Sequence, residues 1–113
     1  MNNEITDLRS AIEFLKTIPG QYMETDVKAD PYCEIPGVYR YVGAGGTVMR
    51  PTREGPTVMF NDVKNYPGKR VTIGMLASRK RVGYLLGEKP ERIAFKLREA
   101  VNSAVSPVVV EPG

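Results

Sequence analysis

The sequence predicts a single small α+β domain of about four helices and three to four strands, one strand pair being a hairpin. Three observations predict it. The chain has 113 residues, enough for one core and not for two. Apolar residues make up 42% and charged residues 26%, a globular balance with no 18-residue apolar run. Stretches with helical spacing alternate with short β-rich runs, and Pro-Gly or lone Gly positions punctuate them.

The first helix is read from Thr6 or Asp7 as cap, with Leu8, Ala11, Ile12, Leu15 and Ile18 on one face and Pro19-Gly20 as its end. Tyr22 to Val27 alternates, which predicts a half-buried strand with Met23, Thr25 and Val27 on one side. Glu24 and Asp26 then share the opposite face as solvated carboxylates. Asp30-Pro31 resembles a helix start, followed by Ile35, Val38, Tyr39 and Val42 at helical spacing. Pro36 means that this helix is either kinked or begins near Pro36 itself. Cys33, the only cysteine, falls in its first turn and reads as a buried or inert thiol.

Thr57 to Val63 is expected to be a strand with Val58 and Phe60 facing one way and Met59 the other. Tyr66-Pro67-Gly68-Lys69 has the residues of a type II turn, and Arg70 to Leu76 is the returning strand. Ser78 caps a short helix to Leu86, which Gly87 closes; Arg79, Lys80 and Arg81 form a basic run at its exposed start. Pro90 opens a last helix whose stripe is Ile93, Ala94, Leu97, Ala100, Val101 and Ala104. Pro107 to Val110 reads as a final extended segment.

Charge divides the chain. Residues 1–39 carry three basic and seven acidic side chains, residues 40–81 nine and two, and residues 82–113 four of each. Between the acidic and basic parts lies Tyr39 to Pro56, with Gly43-Ala44-Gly45-Gly46 and the cations Arg50 and Arg53. A phosphate loop follows a strand and opens a helix, whereas here a helix runs into the glycines and presents carbonyls. A helix end and irregular turn is the better reading. Gly45, Gly46, Arg50 and Arg53 remain as candidate contacts to another domain, a subunit or an anion. The basic middle carries no RNA- or DNA-binding signature, so nucleic acid is the weaker reading of it. Attraction between the acidic and basic parts, within one protomer or between two, needs no further assumption.

The chain has no histidine and a single cysteine, which removes the Ser-His and Cys-His pairings and any closed zinc site. No catalytic, cofactor-binding or metal-binding residue is assigned. The start Met1-Asn2-Asn3-Glu4 lacks the basic and apolar stretches of a signal peptide, so a cytoplasmic setting is expected, with no membrane partner.

A succession of short motifs carries a resemblance. Asp7-Leu8-Arg9, Asp30-Pro31, Glu34-Ile35-Pro36-Gly37-Val38-Tyr39-Arg40, Gly43-Ala44-Gly45-Gly46-Thr47, Arg50-Pro51-Thr52, Glu54-Gly55-Pro56, Leu76-Ala77-Ser78-Arg79 and Arg81-Val82 are similar to the N-terminal domain of UbiD-family decarboxylases. Within that family they most resemble the large (C) subunit of bacterial non-oxidative hydroxyarylic acid decarboxylases, which act on 4-hydroxybenzoate, vanillate or gallate. The resemblance implies chains several times longer, which use a prenylated flavin mononucleotide with metal ions as an electron sink while carbon dioxide leaves. It places the catalytic Glu-Arg-Glu network and the flavin site in a central domain beyond this sequence. Residues 1–113 are then expected to be a UbiD-like N-terminal domain, a fragment or separately encoded piece that is not catalytic alone. Its expected partners are the catalytic domain or other subunits of a homo-oligomer. The alternative is an autonomous module whose basic face, residues 40–81, binds an anionic partner or nucleic acid.

Overall fold

A computed structural model describes residues 4–44 and 54–113. Its elements run α1 (Leu8–Lys16), β1 (Tyr22–Thr25), α2 (Glu34–Ala44), β2 (Thr57–Phe60), β3 (Val71–Ile73), α3 (Arg79–Leu86), a 3-10 turn (Pro90–Arg92) and α4 (Ile93–Asn102). The three strands form one mixed sheet in the order β1-β2-β3. β1 pairs with β2 in parallel, Tyr22 opposite Thr57, and β2 pairs with β3 antiparallel, Val58 opposite Ile73. The predicted α+β class and the hairpin are therefore present, with three strands among the described residues.

β2 is the centre of the molecule, buried at all four positions. Val58 and Phe60 on one face join Ala29, Ile35 and Val63 in a core that Tyr39 and Ile73 flank. Met59 points to the other face, where it shares a shallow hollow with Leu8 and Ile12 of α1. The sheet is thus covered by α2 on one side and α1 on the other, as a parallel strand pair joined by a helical crossover requires.

Local chemistry explains the helix boundaries. Asp7 caps α1 by accepting the Ser10 N–H at 2.7 Å, and the Ser10 hydroxyl oxygen in turn accepts the Asp7 N–H at 3.1 Å. Because the Ser10 N–H and, at 2.8 Å, the Ser10 hydroxyl both donate to its carboxylate, Asp7 is held below the ordinary aspartate range. Ala11, Ile12 and Leu15 then bury the predicted stripe. α2 begins at Glu34, so Pro36 occupies its third position. The first four N–H groups of a helix have no intrahelical acceptor, so the proline at this position costs no helical hydrogen bond. Ahead of it, Asp30 Oδ1 accepts the Tyr32 N–H at 2.9 Å in a tight turn. Gly68, at φ +75°, occupies the turn position expected of it, and the Lys69 N–H donates to the Tyr66 carbonyl at 3.1 Å. Ser78 Oγ accepts the Arg81 N–H at the start of α3, and Gly87 closes that helix in the left-handed region.

Several expectations need correction. β1 ends at Thr25, and Met23 and Val27 are exposed: β1 is an edge strand, so Met23, although in register with the buried Val58, lies at the margin of the core, and Val27 falls beyond the strand. Cys33 is exposed and left-handed at φ +66°, placed before the helix and not in its first turn. β3 stops at Ile73, where Gly74 turns at φ +86°. Residues Pro107 to Val110 form no strand and lie exposed.

Candidate functional site

The largest fully buried side chain is Arg81, the third cation of the run expected at the exposed start of α3. That expectation fails for Arg81 alone, since Arg79 and Lys80 are exposed. Residue 81 lies three positions after the cap, on the side of the first turn that faces the sheet end. Its guanidinium donates from Nε to Gln21 Oε1 at 3.1 Å, from Nη1 to the Gly74 carbonyl at 2.6 Å and from Nη2 to the Gly55 carbonyl. One side chain therefore ties α3 to the entry of β1, the entry of β2 and the exit of β3.

A second layer completes the cluster. Gln21, itself buried, donates from Nε2 to Glu54 Oε1 at 3.3 Å. Hydrogen bonding from Ser78, and then from Gln21, holds the Glu54 carboxyl below the usual range, with Lys80 and Arg81 adding attraction. Burial pulls the Arg81 guanidinium down from its ordinary value, while Tyr39 and Glu54 oppose that pull. The Tyr39 ring lies against Gly74, where a Cβ would stand 2.5 Å from Tyr39 Cε2. Glycine is required there on two counts, space and a positive φ.

Chemically this cluster is a cross-link. A buried guanidinium whose fork is spent on two carbonyls and an amide cannot meet an external anion without opening the fold. Among the described residues no buried side-chain nitrogen or oxygen lacks a partner, so none is left aimed at a ligand. Nor does any group of three His, Cys, Asp or Glu among them form a metal cage. The prenylated flavin and metal ions of the family do not fit these residues: the polar groups that converge are already matched to one another. Gly45, Gly46, Arg50 and Arg53 lie outside the described residues. The Arg81 cluster includes Glu54 and Gly55, the first described residues that follow them in sequence.

The remaining charges are dispersed. Lys64 pairs with Asp30 at 3.0 Å, one direct link between the basic middle and the acidic first third. The Tyr32 N–H first, and Lys64 second, hold Asp30 low, and Asp30 holds Lys64 high. Arg70 Nε donates to Asn61 Oδ1 at 3.0 Å, and Asn61 Nδ2 donates to Asp26 Oδ1 at 2.9 Å. Glu24 accepts from the Tyr22 hydroxyl at 2.6 Å, so the Glu24/Asp26 pair is divided between separate partners. Burial and the neighbouring Glu24 push Tyr22 up to about 12. An open hollow of about 750 Å³ lies between Phe14 of α1 and Tyr84, Lys89 and Pro90. It is largely apolar, with Lys80, Glu88 and Lys89 also in its lining. Among the described residues no helix is long and apolar enough to cross a membrane.

Comparison with known proteins decides the family. Residues 13–101 match the UbiD family described as the 3-octaprenyl-4-hydroxybenzoate carboxy-lyase N-terminal domain. The chain belongs to this UbiD N-terminal domain family. The gallate decarboxylase of Lactiplantibacillus plantarum is 50% identical over 104 residues, 92% of this chain and 21% of that protein. The apo structure of 3,4-dihydroxybenzoic acid decarboxylase from Enterobacter cloacae superposes with a TM-score of 0.82 at 57% identity, and that from Klebsiella pneumoniae with 0.83 at 52%. Each match covers 94% of this chain and 22% of the other. The chain spans about a fifth of the length of the decarboxylases it matches. Since 94% of 113 residues leaves about seven unmatched, fewer than the ten of α4, that helix reaches into the shared UbiD architecture.

Sequence reasoning missed Gln21, Gly74 and Arg81 as a unit. The signals available were small: a cation three residues after a cap, and a glycine where a strand was expected to continue.

Proposed function

We propose that this chain serves as the N-terminal structural and assembly domain of a UbiD-type hydroxyarylic acid decarboxylase, with a dihydroxy- or trihydroxybenzoate as the substrate class of the whole enzyme. On this reading residues 1–113 are that domain, and the central flavin-binding catalytic domain is a separate part. The decarboxylase would work in the cytoplasm as a homo-oligomer. When bound by that other part, prenylated flavin mononucleotide supplies an electron sink for loss of carbon dioxide. The present chain supplies a block held together by Arg81, which fixes Gly55 beside Gln21 and Gly74. Gly45, Gly46, Arg50 and Arg53 would then meet the catalytic domain or a neighbouring subunit.

The observation that carries this reading is the Arg81 cluster: the most elaborate polar site among the described residues is closed on itself and spends its charge on holding loops. The likeness to dihydroxybenzoate and gallate decarboxylases supports the substrate class. The alternative of a basic binding face loses ground, because Arg81 is buried, Lys64 is paired with Asp30 and Arg70 is bonded to Asn61.

The test has two parts. The isolated chain is expected to purify without flavin absorbance and to release no carbon dioxide from 3,4-dihydroxybenzoate. A chimera in which this sequence replaces the matching fifth of the Enterobacter cloacae enzyme is expected to decarboxylate that substrate. Stoichiometric flavin on the isolated chain, or a folded but inert chimera, would overturn the reading.

A further inference from the structure

α4 has an amphipathic sequence and no cover. Its stripe of Ile93, Ala94, Leu97, Ala100 and Val101 repeats at helical spacing, yet no residue of the helix is buried. Leu97 is 52% exposed and Val101 77%. α1 makes the contrast: it is one residue shorter, and although Leu8 at its start is 53% exposed, Ala11, Ile12 and Leu15 of its stripe are buried, Leu15 at 0%. The main packing partners of α4 are α3 and the 3-10 turn; only Ile93, its first residue, is half-buried, and residues 94–102 are exposed. Phe95 is exposed beside this stripe, and Val105 continues the apolar surface past the helix end.

We propose that the apolar stripe of α4 is the surface on which the larger remainder of a UbiD-type decarboxylase docks. The proposal rests on the reading of this chain as an N-terminal decarboxylase domain. Two facts select that occupant over a second copy of this chain. The family match runs through Val101, so the helix with its stripe belongs to the shared architecture. The chains that share it carry nearly four-fifths of their length elsewhere, a body large enough to bury such a helix. An apolar helix face left to water in this chain is one whose burial against a larger body is favourable.

Hydrogen–deuterium exchange tests this on three samples: the 113-residue chain, the chimera and the unaltered Enterobacter cloacae enzyme. Amides of residues 95–102 are expected to exchange at least tenfold more slowly in the two long chains than in the 113-residue chain, with β2 amides little changed. Equal exchange of α4 in all three would overturn the proposal. So would protection of α4 in the 113-residue chain that grows with its own concentration, which would assign the face to a second copy. If the chimera fails to assemble, the domain-role reading is at fault, and the unaltered enzyme alone still decides the docking surface. The variant Leu97→Asp/Val101→Asp adds a second readout. It is expected to leave the melting of the 113-residue chain unchanged and to reduce soluble assembled chimera at least tenfold; equal effects in both would refute the docking role.

Discussion

Replacing Arg81 with Met should unfold the domain far more readily than removing any exposed cation. The methionine keeps most of the aliphatic volume and removes the fork, so Gln21 Oε1 and the carbonyls of Gly55 and Gly74 lose their donor together. A buried acceptor left unsatisfied costs about 1–3 kcal/mol, and three would approach 3–9. Relief from burying a charge offsets part of that, and breaking a buried charged cluster by deleting one partner typically costs about 3–5 kcal/mol. Against a total stability of about 5–15 kcal/mol this is a large fraction. At about 4 °C per kcal/mol the melting temperature should fall by about 12–20 °C. Urea and thermal denaturation followed by circular dichroism measure it. Arg81→Lys serves as the second variant: one ammonium cannot span three acceptors on separate loops, so it should recover less than half the loss. A loss below about 1 kcal/mol for Arg81→Met would refute the idea that this residue holds the loops together.

Gly74→Ala should destabilise by at least about 1–2 kcal/mol from the left-handed backbone alone, with a further loss from the 2.5 Å overlap with Tyr39. Adding Tyr39→Ala should make the double variant less unstable than the sum of the singles; strict additivity would show that the ring is not the obstacle. Tyr22 is raised from 10.0 to about 12, so between those pH values the unfolded chain releases a proton that the folded chain retains, and stability declines as pH rises. Tyr22→Phe should remove that part of the decline, and an absorbance titration should show one tyrosine ionising well above the others. A pH-stability curve unchanged by the substitution would count against the cause assigned to the shift.

Much of the fold was legible in short stretches. Asp7, Ser78 and Gly87 mark helix ends through bonds to residues three or four away, and Pro67-Gly68 makes its turn by its own backbone preferences. Val58, Met59 and Phe60 alternate because a strand does. Such features depend on neighbours in sequence, and the sequence contains them. The motif succession from Asp7 to Val82 likewise carried the UbiD family before any fold was drawn.

The candidate site was not legible in the same way. Arg79, Lys80 and Arg81 look alike as letters, and only the third meets carbonyls from residues 55 and 74 and the amide of Gln21. Met23 and Val27 alternate as buried residues should, yet are exposed, because β1 is an edge strand at the margin of the core and ends at Thr25. The stripe of α4 reads as core and is left uncovered. In each case the deciding term is a contact between segments tens of residues apart, or the lack of one, and that is a property of the assembled tertiary structure. Sequence alone determined the family, the helices with their caps and the centre of each strand; the tertiary structure decided where the strands stop, which charge became the internal cross-link and which apolar face was left uncovered.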